Sequence, residues 1–140
     1  MNILKPTWKV SEKEILANFS FLQSEFGFPK FKKKWIKDEY SISTKKADIE
    51  FSTTIFKFDS NAPIIGITNH SEPIEFNHEI HPTNFYWIHN LDETGGLKMM
   101  TENGRDFVEI YISECAELLR ANPKILNGIT TDFKKNKNCR

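Results

Sequence analysis

Residues 40–56 read YSISTKKADIEFSTTIF, and this stretch decides the fold. Apolar or β-branched side chains alternate with polar ones on both sides of the short polar link 45–48. Alternation sends successive side chains to opposite faces of a strand, so the stretch predicts two antiparallel strands joined as a hairpin. Ile55 and Phe56 break the alternation because both are apolar, and this slip predicts a β-bulge.

Further strands are predicted beyond the hairpin, at residues 64–67, 85–88 and 97–100. A turn at 59–63 precedes the first of them, and residues 69–84 form an irregular segment. A short helix begun by Pro82 is an alternative for residues 85–88, because periodicity cannot decide over so few positions.

A helix is predicted on each side of these strands. Ser11 and Glu14 have the spacing of a capping box, and they predict that the first helix covers residues 11–26 and ends at Gly27. Its apolar face comprises Ile15, Phe19, Leu22 and Phe26. Between this helix and the hairpin, residues 30–37 predict a basic connector in which Phe31 and Trp35 are buried anchors.

The second helix is predicted to begin near Asn103, with Asp106 in its first turn, and to stop at Asn122–Gly128. Its predicted apolar face comprises Phe107, Ile110, Tyr111, Cys115, Leu118 and Leu119. We therefore expect residues 1–140 to form one α+β domain, in which an antiparallel sheet of about four to five strands packs with an N-terminal and a C-terminal helix.

Charge is unevenly distributed along a chain whose net charge is zero. Residues 1–48 carry a net +4, residues 49–115 carry −8, and residues 116–140 carry +4. This pattern lacks the uniform basic character of a dedicated nucleic-acid-binding protein. No apolar run is long enough to span a bilayer, and residues 1–10 lack the apolar stretch of a signal peptide, so a cytoplasmic protein is expected.

Four histidines lie in or beside the irregular segment, with several glutamates among them: His70, His78, His81 and His89. Imidazole and carboxylate groups are common zinc and iron ligands, so a metal-dependent enzyme or a metal-binding protein is one alternative. His78 and His81 are three residues apart, however, and they lack the four-residue helical spacing of a metalloprotease pair. No metal or other cofactor is therefore predicted.

Other catalytic patterns point away from an enzyme. The chain has no Gly-x-Ser-x-Gly elbow and no phosphate-binding loop, and Cys115 falls on a predicted buried helix face. The basic run at 30–37 has interleaved aromatic residues that can stack on single-stranded bases, but solvated lysines around packed aromatics are the favoured interpretation.

Two stretches resemble a known kind of protein. Residues 21–28, FLQSEFGF, resemble the opening helix of small bacterial proteins, some of which are similar to immunity proteins of polymorphic toxin systems. Residues 118–128, LLRANPKILNG, are similar to their closing helix and its stop, and the hairpin at 39–58 fits the same layout. The resemblance implies a protein that binds and blocks a toxin without catalysing a reaction.

The leading hypothesis is therefore a non-enzymatic protein-binding module, of the immunity type, with an uncharacterised ligand-binding or structural module as a further alternative. Eleven acidic residues against three basic ones between 49 and 115 predict a surface that attracts a basic partner, such as a toxin domain. The predicted contact residues are Glu72, Glu75, Glu79, Tyr86, Trp87, Asp92 and Glu93, with the two aromatic residues as anchors.

Overall fold

A computed structural model describes residues 7–57, 62–74, 84–101 and 107–133. These residues form a five-stranded antiparallel sheet whose spatial order follows the chain: β1 Lys32–Ile36, β2 Glu39–Lys46, β3 Ile49–Phe56, β4 Ile64–Asn69 and β5 Phe85–Trp87. The helices lie before and after the strands: α1 Thr7–Asn18, α2 Phe21–Ser24, α3 Gly96–Met100 and α4 Val108–Arg120. The predicted α+β class is thus confirmed.

The hairpin β2–β3 is continuous. Tyr40 pairs with Ile55 and Glu39 with Phe56, so the predicted β-bulge is wrong. Phe56 keeps the alternation by lying half-buried on the outer face of the sheet, whereas Ile55 points into the core. An apolar residue on a partly exposed face therefore imitates a slip in the pattern. The link between the strands is only two residues long, and Ala47 adopts a left-handed φ of 53° there.

Strand β1 replaces the predicted connector at 30–37. It pairs with β2 through another two-residue turn, in which Lys37 has a φ of 55°. The predicted burial of Trp35 is wrong, because this side chain is 40% exposed. Its pairing with Tyr40 in the neighbouring strand explains why the basic run is extended.

The N-terminal helical region has two parts rather than one helix over 11–26. Helix α1 begins at Thr7, so Ser11 lies inside it and is buried, and the predicted capping box is wrong. The apolar face is confirmed where it meets the sheet, since the rings of Phe19 and Phe51 lie 4.5 Å apart. Gly27 has the expected left-handed φ, 72°.

Helix α4 packs beside α1 and contributes to the same core, but its buried face matches the predicted one only in part. Tyr111, Cys115 and Leu119 are buried as predicted, and Leu118 packs half-buried against the core. Phe107 and Ile110, however, are 38% and 50% exposed, and Val108, Ile112 and Ala116 are buried in their place. Apolar residues occupy both stripes of this helix, so periodicity alone did not separate them. The predicted stop is confirmed by a 3-10 turn, Pro123–Asn127, before Gly128 at a φ of 99°. Asn103 and Asp106 lie outside the described residues.

Between β5 and α4 the chain is helical where a last strand is predicted. A 3-10 turn, Ile88–Leu91, follows β5 directly, and residues 97–100 belong to α3. At the start of this helix, Gly95 has a left-handed φ of 76° and the Asp92 carboxylate accepts a hydrogen bond from the Leu97 N–H. This local capping, which an apolar pattern does not reveal, favours a helix over a strand.

Candidate protein-binding surfaces

Glu72 turns its carboxylate into the protein. The Tyr86 hydroxyl donates a hydrogen bond to Glu72 Oε1 at 2.5 Å, and Thr130 Oγ1 donates one to Oε2 at 3.0 Å. Tyr86 is only 3% exposed and its ring stacks on Phe133, with 5.1 Å between the centroids. Burial, followed by the hydrogen bond to Glu72, raises the pKa of Tyr86. The structure brings two predicted contact residues together, but in an internal network, so Tyr86 is not a surface anchor.

A buried amide extends this network to the C-terminal part of the described chain. Asn69 Nδ2 lies 3.3 Å from both the Gly128 carbonyl oxygen and Thr130 Oγ1, and it donates to each. Asn69 Oδ1 accepts hydrogen bonds from the N–H and the hydroxyl of Ser71. Because Asn69 ends β4, these bonds attach residues 128–130 to one end of the sheet.

The carboxylate of Asp92 is also used within the protein. It accepts hydrogen bonds from the Leu97 N–H at 2.8 Å and from the hydroxyl and N–H of Thr94. Burial by itself raises the pKa of Asp92, but these hydrogen bonds outweigh it and lower the pKa below its ordinary value. Glu93 is exposed beside it. Glu75 and Glu79, the remaining predicted acidic residues, lie outside the described residues.

Trp87 and His89 begin a chain of side chains that leads from β5 into the core. Their rings stack with centroids 4.8 Å apart, and His89 Nδ1 lies 2.9 Å from the hydroxyl of Tyr111. Tyr111 in turn shares a hydrogen bond with Cys115. Burial, and then the charge of Lys98, lowers the pKa of His89 to about 4, so its ring is neutral near pH 7 and Nδ1 can accept a hydrogen bond from the Tyr111 hydroxyl. Trp87 itself is half-buried.

The described histidines have separate environments. His70 lies at the end of β4, where its Nε2 is 2.7 Å from Glu50 Oε1, whereas His89 is 5% exposed against Tyr111. Among the described residues, no three His, Cys, Asp or Glu side chains form a group that could hold a metal ion. His78 and His81 lie outside the described residues, so their predicted alternative role stays a prediction.

The aromatic residues around β1 form a cluster that we call the β1 ledge, comprising Trp8, Trp35 and Tyr40. Trp35 stacks on Tyr40 at 4.7 Å and meets the edge of Trp8 at 5.1 Å. The Tyr40 hydroxyl donates a hydrogen bond to Glu12, which joins the ledge to α1. Two ring contacts thus fix Trp35 while leaving part of its side chain in solvent. Ile36, which ends the strand, is 52% exposed.

Lysines occupy the rest of β1. Lys33 lies 4.0 Å from Glu12, whereas Lys32, Lys34 and Lys37 form no ion pair within the described residues. All five residues of β1 are exposed, although successive side chains point to opposite faces of the sheet. Both faces of the strand are therefore open to solvent, although Trp35 and Lys33 reach side chains of α1 on one of them.

The sequence pattern did not reveal the β1 ledge, because three consecutive lysines hide any alternation. The available signal was the pairing partner: Trp35 stands two residues before a tight turn, and Tyr40 stands two residues after it. Aromatic cross-strand pairs of this kind stabilise a hairpin.

Comparison of the chain with protein-family models, with curated proteins and with solved structures found no match to any of them. In the part of the chain that the structure describes, no helix combines the length and apolarity that crossing a membrane requires.

Proposed function

We propose that this protein is a non-enzymatic protein-binding module that acts as an immunity-type inhibitor of a toxin encoded beside it. The observation that carries the proposal is the edge strand β1, which is exposed on both faces and carries the ordered aromatic side chain of Trp35 near its end. Rigid, partly exposed aromatic residues are typical anchors of protein interfaces. The resemblance at residues 21–28 and 118–128 supports the inhibitor class.

The choice of β1 also changes the charge that the partner is expected to carry. Glu72 and Asp92 use their carboxylates in hydrogen bonds within the protein, which weakens the case for an acidic surface that attracts a basic domain. Lys32, Lys34 and Lys37 are exposed and unpaired within the described residues, so an acidic contact region on the partner suits them better.

The test uses the product of the adjacent gene. We expect the two purified proteins to form a stable complex in calorimetry and size-exclusion chromatography, and we expect co-expression of this chain to restore the growth of cells that produce the neighbour. A neighbour that neither binds nor harms cells contradicts the proposal.

A matched pair of variants locates the contact. Ile36→Asp places a charge on β1, where the side chain is 52% exposed, and Ile129→Asp places the same charge where the side chain is 48% exposed. We expect only Ile36→Asp to weaken the complex, because it introduces repulsion towards an acidic partner. Circular dichroism of both variants verifies that they fold.

A further inference from the structure

We propose that the partner contributes an extended, acidic segment that adds to the sheet beside β1 as a sixth strand. This inference rests on the proposed function and specifies the chemistry of the partner. It follows from three features of β1: its unpaired edge, the room around it and the order of its side chains.

The first feature is the hydrogen-bonding edge. β1 pairs only with β2 among the described residues, since it is the first strand in the sheet order. In an edge strand, alternate residues turn their N–H and C=O groups away from the sheet, and these groups can pair with another chain. An extended peptide that takes these bonds gains affinity from its main chain.

The second feature is room for an added strand. All five residues of β1 are exposed, whereas β2 and β3 bury alternate side chains beneath the helices. A strand about 4.8 Å outside β1 would therefore continue the sheet.

The third feature is the order of side chains along β1, three lysines followed by Trp35 and Ile36. Lys32 and Lys34 point to one face and Lys33 to the other, so consecutive acidic residues on the partner meet lysine on both faces. Apolar residues at one end of the partner segment then lie beside Trp35, which Tyr40 and Trp8 hold in place. The complementary segment has three acidic residues next to two apolar ones.

Lysine on an edge strand can also serve only to prevent aggregation, and the basic, aromatic surface can suit single-stranded nucleic acid. These readings predict different ligands, so binding measurements separate them. Strand addition requires the main-chain N–H groups of a peptide ligand, whereas electrostatic attraction alone does not require them. An edge that only prevents aggregation binds neither a peptide nor a nucleic acid.

The experiment uses two fluorescein-labelled peptides as probes, Thr-Val-Phe-Glu-Glu-Glu-Thr and the same sequence in reverse order, because the added strand can run in either direction. Fluorescence anisotropy with the full chain should show saturable binding of at least one. Methylation of alternate backbone nitrogens on the pairing edge should abolish that binding, because it removes donors and leaves the charges unchanged. Equal binding of the methylated peptide overturns strand addition, as does a failure of both peptides to bind.

Variants of the chain add a second readout. Lys32→Glu combined with Lys34→Glu should weaken peptide binding about tenfold or more, because it replaces attraction by repulsion. Lys98→Glu combined with Lys124→Glu changes the net charge equally at exposed sites outside β1, and it should have little effect. Tighter binding of a single-stranded oligonucleotide than of either peptide overturns the inference in favour of nucleic acid.

The same variants separate this inference from the proposed function. If the neighbouring gene product binds the native chain and the Lys32→Glu, Lys34→Glu variant equally well, the inhibitor function stands and strand addition at β1 fails. If the acidic peptide binds but the neighbouring product does not, β1 is a strand acceptor and the proposed function fails.

Discussion

The two edge strands of the sheet, β1 and β5, differ in how their side chains are packed. β1 has five residues, all exposed, and three of them are lysines. β5 has three residues, and its aromatic side chains are engaged: Tyr86 stacks on Phe133, Trp87 stacks on His89, and the Phe85 ring covers Gly66. A Cβ atom at position 66 would lie 2.2 Å from that ring, so glycine is needed for the close approach.

The difference shows what each edge can do. At β5 the chain turns at once into a 3-10 helix, and hydrogen bonds tie the neighbouring residues to the C-terminal part of the described structure. At β1 the aromatic contacts fix one ring while the lysines stay hydrated. Side chains near β5 should therefore determine stability, and side chains on β1 should affect recognition more than folding.

Truncating one isoleucine beside each edge should give the largest contrast. Ile88 is fully buried just after β5, so Ile88→Ala should lower the free energy of unfolding by about 2–5 kcal/mol. Ile36 is 52% exposed on β1, and Ile36→Ala should cost less than about 1 kcal/mol. Urea denaturation of both variants measures the difference, and equal losses would contradict the assignment of stability to β5.

Acidification should destabilise the β5 side through His89. The pKa of His89 is lowered from 6.5 to about 4 in the folded protein, so the unfolded chain binds this proton more readily. Stability is therefore lost as the pH falls from about 6.5 to about 4, by about 2 kcal/mol between pH 8 and pH 5. Denaturation at the two pH values measures the loss, which should shrink in His89→Gln. The same pH dependence in the variant would assign it to other groups.

Removing a tyrosine hydroxyl near each edge should have a smaller effect. Tyr86→Phe leaves the inward-facing Glu72 carboxylate without one donor and should cost about 1–2 kcal/mol of unfolding free energy. Tyr40→Phe removes the hydrogen bond to Glu12, whose side chain is 25% exposed, so water can replace the donor. We expect the Tyr40 variant to lose less in thermal unfolding. The opposite order would place the more important hydrogen bond at β1.

A change in the turn before β2 should stabilise the β1 edge slightly. Lys37 has a φ of 55°, a left-handed conformation that strains residues with a Cβ atom. Lys37→Gly relieves this strain but adds flexibility to the unfolded chain, and it should raise the free energy of unfolding by about 0.5–1 kcal/mol. Ala47→Gly, at a φ of 53° in the next hairpin, is the matched comparison. A loss of stability in both variants would show that the left-handed backbone at these two positions is not strained.

Local signals that persist over several residues predicted the fold well. The alternation in 40–56 identified β2 and β3. The Pro123–Gly128 stop was correct because proline restricts φ and glycine accepts the left-handed φ that ends a helix. The sequence predictions failed where long-range strand pairing or local helix capping outweighs the preference that the residue composition suggests. The pairing of Trp35 with Tyr40 makes a strand out of a lysine run, and the hydrogen bonds of Asp92 start a helix where apolar residues suggested a strand.

The candidate surface was harder to predict because charge in a sequence does not show where a carboxylate points. Glu72 and Asp92 look solvated in the sequence, yet both accept several hydrogen bonds within the protein. The contact roles predicted for Trp87 and Glu93 stay predictions, as do those of Glu75 and Glu79. Whether a charged side chain is available to a partner is a tertiary property.

The reactivity of Cys115 can report how often the protein opens. This thiol is completely buried in α4, and burial, although opposed by its hydrogen bond with Tyr111, raises its pKa to about 12. Alkylating reagents attack the thiolate, so they can modify Cys115 only after the packing around α4 has opened. In a Cys139→Ser variant, where Cys115 is the remaining cysteine, the alkylation rate divided by that of a free thiol gives the fraction of molecules that are open at any instant.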